Sequence, residues 1–467
     1  MPARSASHGG ILGVVGLWHL GSVTAACMAA AGYEVLGVDP DAALVDALNQ
    51  GRPPVGEPGL AGLIAECGER LRFSADRNAL AGLDRAWVTF DTPVDEDDVA
   101  DVEWVMTRAA ELLAPLGDDA LVIVSSQMPV GSVARLRARC AARRGADDLR
   151  FACLPENLRL GSALSSFREP DRIVAGVSSE RDRADVAELL APIGVEVEWM
   201  VVESAEMTKH ALNGFLATSV AFINEVAVIC EAVGADAAEV SRGLKSERRI
   251  GPRAYLAPGD AFAGGTLARD IGFLRALGED RGLPADVFAG VARGNAAHKH
   301  WAQRKLLELA GRGHSQERSL AGVPICIWGL TYKPGTDTLR RSSAVELCRW
   351  LAEEGALVQA HDPAVSSLPE DIAGGADVAG EVKLCETPLA AASGAAALVL
   401  CTSWPEYREV APESVLAALE RPVLIDAAGF LAETFAPQRG LDYARVGSPT
   451  RKASGGSVTA GTLRARA

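Results

Sequence analysis

The longest regular pattern in the chain runs from Ser204 to Gly234 and predicts a single helix. This stretch has no proline and one internal glycine, and its apolar residues fall on nearly every side of a helical projection. Ser204 is a suitable N-cap residue, Glu206 lies in the first turn, and Gly234 is a natural residue to follow a helix end. At 1.5 Å per residue the helix would span roughly 45 Å. We therefore expect it to be buried against more than one partner.

Two polar side chains interrupt the apolar surface of this helix. Lys209 and Asn213 are four residues apart, so they lie on one face. One alternative is structural: the two side chains are solvated at the helix end or hydrogen-bonded within the core. The other is that they face a ligand site. We favour the ligand site.

Before the helix, short apolar runs alternate with helix-compatible segments, which is typical of a parallel sheet. Strands are predicted at 86–90, 120–124, 149–154 and 173–177, and polar residues follow the first three. Thr92, Ser126 and Glu156 stand at those three ends. Ligands bind beyond the carboxyl ends of such strands, so we expect a site there. Glu156 would act either as a base or as a helix cap, and we favour a functional role.

The first apolar run predicts a strand. A glycine turn, a helix and a second strand follow it, and the second strand ends at Asp39. Gly16 and Gly21 frame the turn, and Asp39 follows Gly21 by 18 positions, which suits a carboxylate that binds a ribose diol. Trp18 stands where the second glycine of the usual fingerprint lets the backbone approach a pyrophosphate. We predict dinucleotide binding here, and the alternative is a purely structural turn.

Beyond the helix, residues 248–270 form an irregular charged stretch that is typical of a binding loop. A second strand, loop, helix and strand start at Val323 and end at Asp362, with further strands at 397–401 and 423–426. The loop of this unit contains Lys333, Arg340 and Arg341. This basic cluster is either a solvated loop or an anion site at a helix N-terminus, and we favour the anion site.

The fold class is therefore α/β, with two Rossmann-like doubly wound domains joined by a long central helix. We place the first domain at 9–203, the central helix and loop region at 204–310, a linker at 311–322 and the second domain at 323–443. Residues 444–467 contain no acidic residue and no periodicity, which predicts a disordered tail.

The charge and the cysteines exclude several functions. The chain has 61 acidic and 46 basic residues, and its net charge of −15 argues against a nucleic-acid or anionic-membrane partner. Nine cysteines without a C-x-x-C motif and seven scattered histidines predict neither a disulfide framework nor a metal site. No apolar run approaches the roughly 18 residues of a membrane span, and we find no signal peptide. We expect a cytoplasmic protein.

Several short motifs, in this order, resemble the UDP-glucose/GDP-mannose 6-dehydrogenase family over about residues 11–443. They are Glu57-Pro58-Gly59-Leu60, Thr92-Pro93, Pro129-Val130-Gly131, Pro155-Glu156 with Gly161, Pro170-Asp171-Arg172-Ile173-Val174, Glu206 to Asn213, Asn224-Glu225, Arg249-Ile250-Gly251, Tyr332-Lys333-Pro334, Thr336-Asp337 and Trp404. The resemblance implies two Rossmann-like domains and a long helix that forms the core of a homodimer. It also implies that NAD oxidises the C6 hydroxyl of a nucleotide sugar twice, to the acid.

The resemblance assigns roles to individual residues. Around C6 it places Lys209, Asn213 and Asp270, with Glu156 nearby. It implies that Lys333 and Arg340 approach substrate or cofactor phosphates, and that Arg249 reaches into the neighbouring subunit's site. The expected set is, for catalysis, Glu156, Lys209, Asn213, Thr266 and Asp270; for the cofactor, Gly16, Gly21, Asp39, Thr92, Ser126 and Arg340; for the substrate, Arg249, Gly264, Gly265 and Lys333.

Four residues depart from the family pattern at the expected site. If Asp270 anchors the match, the family's G-G-x-C-x-P-K-D segment becomes Gly264-Gly265-Thr266-Leu267-Ala268-Arg269-Asp270, with Gly265 at the variable position and Thr266 in place of the cysteine. That cysteine forms the thiohemiacetal and thioester of the second oxidation, and threonine lacks an ionisable thiol. The other departures are Trp18, Gln127 for a threonine, and Ala428 for an arginine.

These departures leave three hypotheses for the function. The leading one is a nucleotide-sugar oxidoreductase that binds NAD and does not complete the four-electron oxidation. The second is a non-catalytic pseudoenzyme that binds a nucleotide sugar. The third is an ordinary four-electron dehydrogenase with an unusual nucleophile.

Overall fold

A computed structural model of the chain describes residues 10–95, 100–156, 158–263, 265–313, 318–368 and 382–453. The chain divides into two compact units, Met1–Leu212 and Asn213–Ala467. Each unit contains one mostly or fully parallel sheet with helices on its faces. The predicted fold class is confirmed.

The first unit is built on an eight-stranded sheet in the order β3-β2-β1-β4-β5-β6-β7-β8. Neighbouring strands are parallel except β6 and β7, which pair antiparallel. The strands are β1 (Ile11–Val15), β2 (Glu34–Val38), β3 (Leu71–Ser74), β4 (Arg85–Val88), β5 (Leu121–Val124), β6 (Arg150–Cys153), β7 (Ile173–Gly176) and β8 (Val197–Met200). The strand order reverses between β1 and β4, which is where open sheets of this kind bind ligands.

Seven α-helices connect these strands. They are α1 (His19–Ala30), α2 (Ala42–Asn49), α3 (Leu60–Cys67), α4 (Val102–Leu113), α5 (Ser132–Arg144), α6 (Ala163–Arg168) and α7 (Glu180–Leu190). Glu206, from the long helix, accepts backbone N–H bonds from Gly131 and Val133 at 2.7 and 2.8 Å and so caps α5. Burial raises the pKa of Glu206, and these two bonds oppose the rise.

The long helix α8 spans Val202–Val233, so it starts two residues before the predicted Ser204. Gly234 follows it with φ +82°, as expected for a residue that ends a helix in the left-handed region. The expectation that α8 is buried against more than one partner stays a prediction, because part of its apolar surface is exposed in the single chain. Phe215, Phe222 and Ile229 are 67%, 49% and 61% exposed. Because they are spaced by seven residues, they form one exposed apolar stripe.

Helix α8 is long and apolar enough, by length and composition, to cross a membrane. Its most apolar stretch of 18 residues is 39% buried within the chain. Sequence analysis had found no apolar run of this kind. One such helix is weak support for a membrane span, because the core helix of a soluble protein passes the same test.

The second unit contains helices and a six-stranded parallel sheet in the order β11-β10-β9-β12-β13-β14. The strands are β9 (Pro324–Trp328), β10 (Leu357–His361), β11 (Val382–Leu384), β12 (Ala397–Leu400), β13 (Val423–Asp426) and β14 (Asp442–Ala444). The helices after α8 are α9 (Ala237–Ser246), α10 (Thr266–Asp280), α11 (Asp286–Lys299), α12 (Trp301–Leu309), α13 (Ser343–Glu353), α14 (Pro388–Ala392), α15 (Pro412–Ala418) and α16 (Ala432–Phe435). The turn after β9 occupies the switch point of this sheet.

A buried carboxylate holds the turn of the second sheet. Asp362, just after β10, accepts from the backbone N–H groups of Leu330 and Thr331 at 2.7 and 3.0 Å. The same Oδ2 accepts from the Trp404 indole at 3.0 Å, and Oδ1 accepts from the backbone of Ala364. Gly329 begins the turn at φ +89°, and a Cβ there would lie 2.4 Å from the Cβ of Thr402. Only glycine allows this close approach.

The predicted disordered tail is wrong for residues 444–453. Gly447 donates its N–H to Glu231 at 2.9 Å, and Ser448 donates to Asp236 at 2.8 Å. Thr450 is buried. Residues 454–467 of the predicted tail lie outside the described residues. Within the predicted linker, Arg312 and Ser319 form an antiparallel bridge, and residues 314–317 lie outside the described part.

We predict that Asp362→Ala destabilises the protein by roughly 3 kcal/mol, because it leaves buried backbone and indole donors without an acceptor. Denaturant unfolding of the full chain measures this loss. Glu353→Ala, which removes an exposed carboxylate from α13, is the control and should change stability by less than about 0.5 kcal/mol. Equal losses in the two variants would contradict the role of Asp362.

Candidate active site

The glycine turn after β1 requires both of its glycines. Gly16 has φ +89°, and a Cβ there would lie 2.6 Å from the ring of Phe90. A Cβ on Gly21 would lie 1.7 Å from the carbonyl oxygen of Gly16. The turn and the helix therefore pack too closely for a side chain. Close packing of this kind is the reason for a glycine in the dinucleotide-binding fingerprint.

Asp39 lies at the carboxyl end of β2, beside this turn. Its Oδ2 accepts from the backbone N–H of Leu17 at 2.8 Å, and its Oδ1 accepts from Asp41 at 3.0 Å. Burial raises the pKa of Asp39, and the two backbone bonds oppose the rise. The carboxylate therefore has the position and the acceptor atoms that a ribose diol requires.

Two residues change the place where a pyrophosphate normally binds. Trp18 is 52% exposed, immediately before α1, and makes no capping bond with its side chain. Asp91, which follows β4 and Phe90, accepts from the backbone N–H of Leu20 in the first turn of α1 at 3.2 Å. One N–H group at the start of α1, where a pyrophosphate would bind, therefore already donates to a carboxylate. Sequence analysis did not single out Asp91.

The next strand ends also carry polar side chains. Thr92 is buried and donates its hydroxyl to the carbonyl oxygen of Gln127 at 2.7 Å. The buried Oγ of Ser126 has no hydrogen-bond partner among the described residues. An unpaired buried hydroxyl at the carboxyl edge of the sheet is available to a bound cofactor or substrate.

Glu156 and Lys209 meet within the first unit. The Lys209 ammonium donates to the backbone oxygen of Glu156 at 2.6 Å, and the Glu156 carboxylate accepts from the backbone of Leu158. Both residues, with Ser126 and Cys153, line a cavity of about 20 Å³, which has room for a single water. Burial raises the pKa of the Cys153 thiol, so Cys153 does not supply a thiolate near neutrality.

Asn213, Thr266 and Asp270 gather within the second unit. Asp270 is fully buried, and its carboxylate accepts from the side-chain amide of Asn213. Thr266 is the first residue of α10 and is exposed, one helical turn before Asp270. Residues four apart on a helix share a face, so the hydroxyl and the carboxylate point to the same side of α10.

The remaining predicted residues are more dispersed. The Arg249 side chain is 88% exposed and pairs with Glu247 at 3.1 Å. Lys333 and Arg340 lie in the loop between β9 and α13. Arg341 has φ +61°, and its guanidinium lies 3.7 Å from the position of a Cβ on Gly265. Gly264 lies outside the described residues.

Within the described residues, no group of three or more histidine, cysteine or acidic side chains could hold a metal ion.

Three family models match most of the chain. Residues 11–194 match the NAD-binding domain of the UDP-glucose/GDP-mannose dehydrogenase family, residues 203–297 its central domain, and residues 326–433 its UDP-binding domain. NAD is therefore the cofactor of the first domain. The nucleotide-binding role of the second domain agrees with its basic loop.

Curated relatives and solved structures extend the match over nearly the full length. UDP-glucose 6-dehydrogenase of Pseudomonas aeruginosa is 33% identical over 93% of this chain and 97% of its own. The Rhizobium meliloti enzyme of the same name is 32% identical over 93% and 99%. A UDP-glucose dehydrogenase structure from Pyrobaculum islandicum aligns with TM-score 0.80 and 30% identity over 92% of this chain and 96% of that one. With three family domains matched in order, the chain belongs to the UDP-glucose/GDP-mannose dehydrogenase family.

Proposed function

We propose that the protein is an NAD-dependent oxidoreductase that acts on the C6 hydroxyl of a UDP- or GDP-hexose without completing the four-electron oxidation to the acid. The observation that carries this proposal is the buried Asn213–Asp270 pair one turn from Thr266. The pair keeps the polar groups that the first oxidation needs. Thr266 lacks the thiol that the second oxidation needs.

We propose, as the resemblance to the family implies, that both groups of catalytic residues act on C6. Lys209 and Asn213 lie on the same face of α8, one turn apart. Lys209 contacts Glu156, and Asn213 contacts Asp270.

The first oxidation requires a positioned hydroxyl, a route for its proton and a hydride acceptor. Lys209, Asn213 and Asp270 orient the hydroxyl and deprotonate it through water, and Glu156 lies close enough to Lys209 to hold that lysine in place. When bound, NAD accepts the hydride. None of these roles requires a thiol.

The second oxidation requires a tetrahedral adduct at C6. A thiol with a reference pKa of about 8.5 is partly ionised near neutrality, whereas an alcohol is not. No nearby cysteine replaces it in the first unit, since Cys153 is buried with a raised pKa. The product would be the C6 aldehyde, or a redox-neutral product if the hydride returns.

For substrate binding, we propose that Lys333 and Arg340 approach the phosphates and that Gly264 and Gly265 allow the sugar to lie close to the backbone. Cationic side chains are needed because the chain carries a net charge of −15. Arg249 would complete the site of a neighbouring subunit, since its side chain extends from the surface of its own.

A pseudoenzyme that binds a nucleotide sugar without turnover is the second candidate. Trp18 and Asp91 favour it, because both lie where a dinucleotide pyrophosphate normally binds. The names of the relatives favour a complete UDP-glucose 6-dehydrogenase with an unusual nucleophile, which is the third candidate.

We also propose that the protein is at least a homodimer, with α8 at its centre. The apolar stripe of Phe215, Phe222 and Ile229 is a surface that a second copy of the helix would bury. Two copies related by a twofold axis would pair the same stripe with itself.

We predict that turnover yields at most one net NADH per sugar and little 6-carboxylate. Mass spectrometry of the sugar, with NADH followed by absorbance, measures both across a set of UDP- and GDP-hexoses. Thr266→Cys should raise acid production, because the thiolate can form the missing adduct. Thr266→Ser is the matched control and should not raise it. Two NADH per sugar with quantitative acid from the unmutated protein would show that the interpretation of Thr266 is wrong.

We predict that Phe222→Glu dissociates the oligomer, because a charge in the stripe would be buried without a partner. Sedimentation velocity at micromolar concentration measures the change. Val287→Glu places the same charge at an exposed valine on α11 and should leave the oligomer intact. A stable monomer of the unmutated protein would reject the dimer, and with it the role of Arg249.

We predict that NAD binds roughly tenfold or more tightly than NADP, because the Asp39 carboxylate repels a 2′-phosphate. Calorimetry at saturating nucleotide sugar measures both affinities. Asp39→Asn removes the charge and keeps one acceptor for Leu17, so it should narrow the difference. If neither dinucleotide binds, the pseudoenzyme becomes the preferred function.

A further inference from the structure

Carboxylates surround the first turn of α1. Asp39 accepts from Leu17 at 2.8 Å, and Asp91 accepts from Leu20 at 3.2 Å. Glu57 lies 3.2 Å from the imidazole Nε2 of His19. Residues 16–22 contain no lysine or arginine. The turn therefore offers a bound anion fewer free donors and more negative charge than a bare helix N-terminus does.

The position of Asp91 follows from the packing of β4. Phe90, directly before it, packs against Gly16 so closely that no side chain fits there. Thr92, directly after it, is tied to the carbonyl oxygen of Gln127 at 2.7 Å. Asp91 is thus held between two anchored residues at the strand end, facing the start of α1.

The start of α1 is the position in which this type of unit binds a pyrophosphate. Its N–H groups and the positive end of the helix dipole favour an anion there. In this chain the carboxylate of Asp91 already uses one of those N–H groups. A side-chain anion and a pyrophosphate compete for the same donor and repel each other.

We propose that Asp91 sets the affinity of the cofactor site by binding the N-terminus of α1 in place of the dinucleotide pyrophosphate, so that NAD must displace it. The proposal rests on the NAD-binding role of the first domain, which is part of the proposed function, and is independent of the sugar chemistry. Asp91 is a residue that controls affinity, and it takes no part in hydride transfer.

The test is a calorimetric titration of the full-length protein and its Asp91→Asn variant with NAD, ADP and adenosine. Asparagine has the same shape and keeps an oxygen acceptor for Leu20, but it carries no charge. We expect NAD and ADP to bind on the order of tenfold more tightly to the variant, and adenosine to bind equally to both proteins. The gain for NAD should shrink at high salt, because screening weakens the repulsion.

Two control variants separate charge from structure. Asp91→Glu keeps the charge and should not gain affinity. Asp101→Asn removes a carboxylate that caps α4 in the same domain, through a bond from the backbone of Trp104 at 2.9 Å, and should leave NAD binding unchanged. Thermal unfolding without ligand should show Asp91→Asn folded, since the cap on α1 is retained.

Unchanged or weaker NAD binding by a folded Asp91→Asn variant would overturn the proposal. An equal gain for adenosine would also overturn it, because adenosine has no phosphate to be repelled. If no variant binds any of the three ligands, the proposal fails together with the cofactor's role in turnover. If Asp91→Asn gains affinity for NAD and no hexose is oxidised, the proposed function fails and the role of Asp91 stands.

Discussion

The structure depends on buried carboxylates that accept backbone N–H bonds at the carboxyl edges of its two sheets. Asp39 and Asp362 occupy equivalent places, each just after the second strand of its unit, and each holds the turn that follows the first strand. Asp426 does the same for the chain after β13, where it accepts from Phe430 and Leu431 at 3.0 and 2.7 Å. These bonds offset the cost of burying charge, so the acids stabilise the loops around each sheet edge.

Because these carboxylates are negatively charged, we propose that the ribose and the phosphates are bound by different groups in the two units. A carboxylate that already accepts backbone bonds can still receive a ribose hydroxyl, as at Asp39, but it does not attract a phosphate. At Asp362 the bonds to Leu330, Thr331 and Trp404 occupy one oxygen, and the acid is structural. The loop of Lys333, Arg340 and Arg341 carries the positive charge that we propose for phosphate binding, and Arg341 lies beside Gly265.

The sequence predicted most of the architecture because strands and their turns depend on local patterns. The strand Ile173–Gly176 and the glycine after α8 lie within one residue of their predicted positions. The prediction failed where contacts with distant residues determine the local structure. The tail up to Ala453 is ordered by bonds to Glu231 and Asp236, more than two hundred residues earlier in the chain. Asp91 was missed because its bond partner lies on another element, and Thr266 was found because it interrupts a motif.

Trp18 and Asp91 are proposed to act on a different quantity from Thr266. Trp18 lies just before α1 and Asp91 accepts from its first turn, so in our proposal they change how tightly a dinucleotide is held. Thr266 lies in the second unit, one turn from Asp270, and in our proposal it limits how many times C6 can be oxidised. A weakly held cofactor does not limit the number of oxidations, since each oxidised molecule can be exchanged for a new one. A missing thiol does not weaken the cofactor. A neutral residue at position 91 should therefore alter cofactor affinity without adding acid product. A cysteine at position 266 should add acid product without altering cofactor affinity.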